Sequence, residues 1–498
     1  MGYGLLPPGI HRPTREQVPE SGSNCKLTRT FMVAVLLTLE LLARVGGAAN
    51  PSDPPIALHP DNPHYFLFRG KAVVLIGSTE HYGAVLNGAF DNAKYLDTLR
   101  RDGMNLTRTF SGVYREIPGS FGIHGNTLAP DREHYLAPWP RSDQGGAADG
   151  KNRFDLHKWN DAYFHRLRDF VRAAGERGIV VEYVLFCPFY EQALWDVDPM
   201  NAKNNTSGVG DLPRDKVYTM GNAGLLAIQD AFVRKAVAEL KDADNLYFEI
   251  CNEPYFGGVT LDWQRHIAQT VADAEKDLPA KHLIAQNIAN GSAKIQHPGP
   301  LVSIFNFHYA NPPDAVRVNL ELNKVISYDE TGFKGSDDTV YRVHGWEFLL
   351  AGGGVYDNLD YSFTAGHEDG TAPVNAPGGG SPALRKQLHI LKQFVEGFDL
   401  VHMSPVAAPH VENGIVATML AEPGKQYAIY LRRLLTDGKT GQPRPTSLTI
   451  DLPPGTYDIQ WVDPVTGEPR KERRRCSGAS TLSSGAFDQD IALRVVNQ

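Results

Sequence analysis

Two hydrophobic rhythms alternate along most of the chain. Short unbroken apolar runs, typical of strands buried on both faces, give way to longer stretches with apolar residues every three or four positions, as on one face of a helix. A Pro-rich lead (50–63) is followed by HYFLFRGKAVVLIGST (64–79), read as a short hairpin turning at Arg69-Gly70-Lys71 and then a first strand. Helical spacing in FDNAKYLDTLRRDG (90–103), closed by Gly103, precedes a second strand, MNLTRTF (104–110). The same alternation places helices over 161–178, 225–245, 261–279, 340–353 and 382–398. Strands fall over 179–187, 246–250, 282–288, 301–310, 324–330 and 354–363. Polar excursions interrupt the pattern at about 111–155 and 188–224. Read as eight strand–helix units, this is an α/β chain with a parallel sheet, and a (β/α)8 TIM barrel over 50–400 is expected. No strand leads into GxGxxG or GxxxxGK[ST], so a nucleotide-binding doubly wound sheet has little support.

From about Val401 the rhythm changes. Strands over 413–420, 425–431, 446–452, 455–462 and 490–496 follow one another without helices, punctuated by turns such as Pro453-Pro454-Gly455 and Thr466-Gly467. A small antiparallel β-sandwich over 401–498, packed directly on the barrel, is expected.

Composition changes this picture little. A chain of 498 residues exceeds one hydrophobic core, and 42% hydrophobic with 21% charged residues is ordinary for a globular protein. Net charge is −8; without residues 1–49 the chain keeps 44 basic and 54 acidic residues. Such a surface has no basic field to draw in nucleic acid or an anionic membrane. The run Arg470-Lys471-Glu472-Arg473-Arg474-Arg475 is read as a solvated face. At the N-terminus, Lys26 and Arg29 precede the apolar FMVAVLLTLELLA (31–43), and small residues follow in GGAAN (46–50). This is the pattern of a secretory signal, so residues 1–49 are expected to be a leader. The product is expected outside the cell or in its envelope, with no stable membrane insertion once the signal is cleaved. Cys25 would leave with the leader, and Cys187, Cys251 and Cys476 make no paired framework. Cys187 and Cys251 are read as buried free thiols, and no CxxC or HExxH spacing suggests a metal.

Chemistry concentrates in LYFEICNEPYFGG (246–258), where an apolar strand breaks at Asn252-Glu253-Pro254. A second carboxylate, Glu330, ends the strand KVISYDE. Strand ends of a barrel carry its catalytic groups, and two carboxyls about 5–5.5 Å apart can cleave a glycosidic bond with retention. Asn252 adds an amide able to hold a sugar hydroxyl. Strand alternation turns the neighbouring Asp329 away from Glu330. Glu182 and Glu249 lie deeper in their strands and are expected to be paired inside the barrel. Glu80 and His81 end the first strand and are expected to contact substrate at the mouth. Tyr190, Trp195 and Trp263 are aromatics on loops above the rim, suited either to sugar stacking or to core packing.

Asn-Glu-Pro at strand four with a Glu at strand seven resembles the clan A glycoside hydrolases, the group holding cellulase- and mannanase-type barrels, over about residues 55–398. The resemblance implies a retaining hydrolase of a poly- or oligosaccharide without a cofactor, with Glu253 as acid/base and Glu330 as nucleophile. It also implies that Arg108 supports the nucleophile and that His308 and Tyr309 contact nucleophile and substrate. Three positions depart from the family pattern. His308 and Tyr309 adjoin instead of being one residue apart, strand three offers Phe186-Cys187-Pro188 in place of a His, and strand eight offers Tyr361 and Phe363 where a Trp is common. In GTYDIQWVDPVTGE (455–468) the sandwich resembles the collagen-binding-type domain appended to some bacterial barrel hydrolases. A structural accessory role suits it at least as well. Two other readings compete: a metal-dependent hydrolase on the same fold, disfavoured by the lack of clustered ligands, and a non-catalytic carbohydrate-binding or scaffold protein.

Overall fold

The computed structural model describes residues 53–310, 313–434 and 442–498; the expected leader lies outside them. Eight parallel strands form the barrel. They are β1 (Leu75–Thr79), β2 (Leu106–Phe110), β3 (Val180–Val184) and β4 (Leu246–Glu249), followed by β5 (Leu283–Asn290), β6 (Ile304–His308), β7 (Val325–Glu330) and β8 (Val355–Leu359). Pairing runs β1-β8-β7-β6-β5-β4-β3-β2. Asn105 closes the ring between β1 and β2. Its side-chain oxygen accepts from the Ile76 N–H (2.7 Å) and its amide donates to the Val74 carbonyl (2.9 Å), standing in for ladder bonds.

Six helices pack outside: α1 (Asn92–Arg101), α2 (Asp161–Glu176), α3 (Ala223–Leu240), α4 (Leu261–Ala274), α5 (Asp338–Leu350) and α6 (Pro382–Glu396). Side-chain caps fix several starts: Asp91 accepts from the Ala93 and Lys94 N–H groups, and Ser381 caps Leu384 ahead of Pro382. The expectation of eight complete units is corrected between β5 and β7. Among the described residues no helix follows β5, where Pro298-Gly299-Pro300 blocks one, and a single turn, Asp314–Arg317, follows β6.

The barrel interior is layered. At the bottom each strand contributes one inward residue (Leu75, Leu106, Val180, Tyr247, Ala285, Ile304, Val325 and Val355), and Ile56, Phe66 and Phe68 plug this layer from below. The plug is the expected hairpin, Phe66–Phe68 with Lys71–Val73, turning through Arg69 (φ 48°) and Gly70 (φ 74°). Burying each aliphatic or aromatic side chain contributes about 1.5–3 kcal/mol, which pins the register of every strand. Two residues further along each strand the inward layer turns polar, and it includes Arg108, Glu182, Glu249, Asn306 and Asp357. That second layer carries the site.

The C-terminal strands form one continuous antiparallel sheet curled into a sandwich around its own core. They are β9 (Ser404–Pro405), β10 (His410–Val411), β11 (Ile415–Glu422), β12 (Gln426–Arg433), β13 (Ser447–Val462), β14 (Pro469–Ser483) and β15 (Asp490–Asn497). Pro453-Pro454-Gly455 is not a turn: it lies inside β13, where the register shifts between Leu452 and Gly455. Buried positions change parity across this bulge, from Leu448, Ile450 and Leu452 to Tyr457, Ile459 and Trp461. The basic run 470–475 belongs to β14, an unexpected strand that pairs with β13. Its charges leave it exposed and discourage pairing with another chain. The sandwich meets α5 through Trp346 stacked on Tyr430 (5.4 Å) and the buried Arg342–Asp490 pair (2.9 Å).

Candidate active site

β4 ends at Glu249, and the chain then bends across the barrel mouth, held by the Asn252 N–H on the Phe186 carbonyl (2.9 Å). This bend presents Glu253. Glu330 is the last residue of β7, and a carboxylate oxygen of each lies within 4.8 Å of the other. His308, at the end of β6, sits between them, its Nδ1 3.1 Å from Glu253 Oε1 and 3.4 Å from Glu330 Oε1. Glu253 also accepts from the hydroxyls of Tyr190 (2.7 Å) and Tyr255 (3.2 Å). Glu330 accepts from Tyr309, from the Tyr82 hydroxyl (3.0 Å) and from Arg108 Nη1 (3.2 Å).

Arg108 is fully buried below the pair. Its guanidinium donates to Glu249 (2.6 Å) and to Asn252 Oδ1 (2.7 Å), faces Asp329 (3.4 Å) and Glu182 (3.8 Å), and lies 4.5 Å above the Tyr82 ring. The Asn252 amide is thereby aimed, its Nδ2 donating to the Tyr190 hydroxyl (2.9 Å). Burial would raise the Glu330 carboxyl, but His308, Arg108 and Tyr309 outweigh it and hold the group well below the usual carboxylate range. Burial would likewise lower His308, yet the Glu330 and Asp329 carboxylates hold its imidazole well above the ordinary value. Glu182 is pushed well up by burial, then by Asp329 and Glu249; burial also raises Glu249, against the pull of Arg108.

Among the described residues two carboxylate clusters are tight enough to consider for a metal: Glu253 with His308 and Glu330, and Glu182 with Glu249 and Asp329. The Arg108 guanidinium already serves as the cation of the second. In the first, His308 Nδ1 already lies between the two carboxylates at 3.1 and 3.4 Å, so the donor set suits proton sharing better than ligation.

Asp329 is fully buried, inward as alternation requires of Val325, Ser327 and Asp329. The exception is Glu330, brought back to the mouth where the β6–β7 register slips between Asn306 and His308. Expecting Asp329 to point away from Glu330 is therefore corrected: both carboxylates reach Arg108 and His308, Asp329 lying 3.6 Å from His308 Nε2. Glu80 is also corrected. Its carboxylate turns down to accept the Gly83 (2.8 Å) and Ala84 (2.9 Å) N–H groups, and only its neighbour His81 lines the cleft. Burial pushes the Glu80 carboxyl up to about 7. Tyr361 stands behind the cleft wall, edge-on to His81 (5.9 Å). Trp195 and Trp263 are core residues, donating to the Leu212 carbonyl and to Gln229. Cys187 and Cys251 are buried free thiols raised by burial.

Reading the sequence missed Tyr82, Glu116, Phe121, Tyr255 and Phe333. All but Tyr255 line the cleft. Tyr82 sits one residue beyond His81, and only a left-handed backbone (φ 58°) swings its hydroxyl onto Glu330. Glu253 (φ 37°), Tyr309 (φ 47°) and Phe121 (φ 54°) share that region, which costs a non-glycine residue about 1–3 kcal/mol.

No protein-family model and no curated protein matches the sequence. Solved structures do match the fold. A Bacteroides vulgatus protein provisionally assigned as a glycoside hydrolase superposes with a TM-score of 0.64 at 13% identity, over 91% of this chain and 84% of its own. A protein described as a glycoside hydrolase gives 0.60 at 13% identity over 91% and 99%. A family 5 glycoside hydrolase from Bacteroides vulgatus gives 0.59 at 14% identity over 89% and 93%. At these identities the likeness establishes the fold: a TIM barrel followed by a β-sandwich.

Proposed function

We propose that the chain is a retaining glycoside hydrolase of a poly- or oligosaccharide, with Glu330 as nucleophile and Glu253 as acid/base. The observation that carries this reading is the pair of carboxylates at the barrel mouth, their oxygens within 4.8 Å and bridged by His308 Nδ1. Such a separation suits direct attack on the sugar better than the wider gap, about 6.5–9.5 Å, that inversion needs to seat a water. In the first step the Glu330 carboxylate attacks the anomeric carbon while Glu253 gives a proton to the departing glycosidic oxygen, leaving a glycosyl ester on Glu330. In the second, Glu253 takes a proton from water, whose oxygen displaces Glu330 with a second inversion. Three donors on Glu330 support its ionised form and aim it. Asn252, fixed by Arg108, is placed to hold the hydroxyl next to the reacting carbon. The barrel fold shared with glycoside hydrolases agrees with this reading. The basic and apolar pattern of residues 26–43 favours an exported enzyme.

Glu253→Gln and Glu330→Gln should each abolish hydrolysis of activated aryl glycosides. Azide added to Glu330→Ala should restore turnover and yield a glycosyl azide of inverted configuration. Wild-type rates in both Gln variants would overturn the assignment.

A further inference from the structure

His81 and Glu116 form a second polar pair in the cleft wall that the two-carboxylate chemistry leaves unused. Glu116 comes from the long loop after β2 and is 3% exposed, fixed by the Asn126 amide (2.5 Å) and the Tyr114 hydroxyl (3.4 Å). His81, 8% exposed, brings Nε2 to 3.8 Å from Glu116 Oε1. Its Nδ1 is buried and has no partner among the described residues. At 3.8 Å the Nε2–Glu116 gap is too wide for a direct hydrogen bond, so a ligand hydroxyl, or the water it displaces, can bridge the pair.

The charge balance of the same wall is one-sided. Glu116, Glu253 and Glu330 line the cleft, while no Lys or Arg does so among the described residues. Arg108 lies beneath and is committed to Glu249, Asn252 and Glu330; His308 is fully buried between its carboxylates. Whether ionised or protonated, Glu116 offers no positive charge. Phe121, Tyr190 and Phe333 complete the lining with ring surfaces suited to the apolar face of a sugar.

We propose that His81 and Glu116 hold hydroxyls of the sugar ring at the cleft, and that the site takes uncharged sugars while rejecting uronic acids and sulfated units. This rests on the glycoside hydrolase reading. A carboxylate or sulfate on that ring would be desolvated beside three acidic side chains with no Lys or Arg to meet it, a repulsive element that discriminates against charged sugars.

The test is ligand-induced thermal stabilisation of the full chain, titrated with glucose, mannose, galactose and xylose and, in parallel, with glucuronate and galacturonate. At least one neutral sugar should raise Tm and neither uronate should. Glu116→Gln and His81→Asn should each weaken the neutral sugar at least about tenfold, with the unliganded Tm and circular dichroism reporting folding separately. A uronate that binds as well as its neutral parent would overturn the proposal. So would neutral binding that survives both substitutions, or no binding by any sugar of the panel. Sugar binding with this selectivity but no hydrolysis of any aryl glycoside would sink the hydrolase reading alone. Cleavage of an aryl uronide as fast as the neutral glycoside would sink the present proposal alone.

Discussion

Arg108 is the residue on which stability and activity should respond most differently to two related substitutions. Its guanidinium is fully buried and bonds Glu249, Asn252 and Glu330 while facing Asp329 and Glu182. Arg108→Met removes the cation and leaves these carboxylates buried together, a loss of about 3–5 kcal/mol for breaking a buried pair. Arg108→Lys keeps the charge but not the planar fork, so it loses one or two charge-assisted bonds and roughly 1–3 kcal/mol. In activity both variants lose the bond to Glu330; at about 1.5–3 kcal/mol that is roughly a 10- to 150-fold drop in kcat/KM. The pH dependence of the stability deficit has a definite sign. Glu182 and Glu249 are already raised by burial, and without the guanidinium they rise further. Between the already raised wild-type values and the still higher variant ones, the folded variant binds more protons than folded wild type. Its deficit therefore grows as pH rises through that window, which lies above the unfolded value of 4.5, and levels off below it. Urea unfolding of wild type and both variants from pH 4 to 8, paired with aryl glycoside kinetics, measures each quantity. If Arg108→Met unfolded within about 1 kcal/mol of wild type at pH 8, the array would not depend on its cation and the argument would be refuted.

The remaining predictions concern other parts of the molecule. Glu80 holds the Gly83 and Ala84 N–H groups with a carboxyl raised to about 7, so wild-type stability should fall by roughly 3 kcal/mol as pH rises from the unfolded value of 4.5 through 7. Glu80→Gln should flatten that decline in urea titrations. Arg342→Ala leaves Asp490 buried without its partner beside Tyr430, and the loss of about 3–5 kcal/mol should appear as faster proteolysis at the α5–sandwich contact. The two Glu→Gln variants and the azide product remain the direct check on the chemistry.

What the sequence made legible was whatever depends on period and on strand ends. Alternation between two hydrophobic rhythms suffices for a parallel α/β sheet, because strands covered by helices must be apolar and each helix must bury one face; the lack of a nucleotide-binding loop then favoured the barrel over a doubly wound sheet. Glu253, Glu330 and Asn252 were visible for the same reason, since strand ends define a mouth, whereas Arg108, His308 and Tyr309 were legible only through the resemblance to clan A barrels. The misses arise where the backbone leaves the strand period. Glu80 and His81 are neighbours, and a loop that bends back to be capped by Glu80 leaves only His81 for the cleft. Asp329 and Glu330 are neighbours too, but a register slip brings both inside. Tyr82 reaches Glu330 through a positive φ that no side-chain pattern announces. In β13 a two-proline bulge looks like a turn because proline ordinarily ends a strand, whereas here it shifts which face is buried. These irregularities fall mostly where the site is built. Regular strands deliver one inward residue in two, and assembling two carboxylates, a histidine and four tyrosines within hydrogen-bond reach demands exceptions. The left-handed conformations of Tyr82, Glu253 and Tyr309 are tolerated because the surrounding hydrogen bonds, and the polar layer centred on Arg108, hold them there.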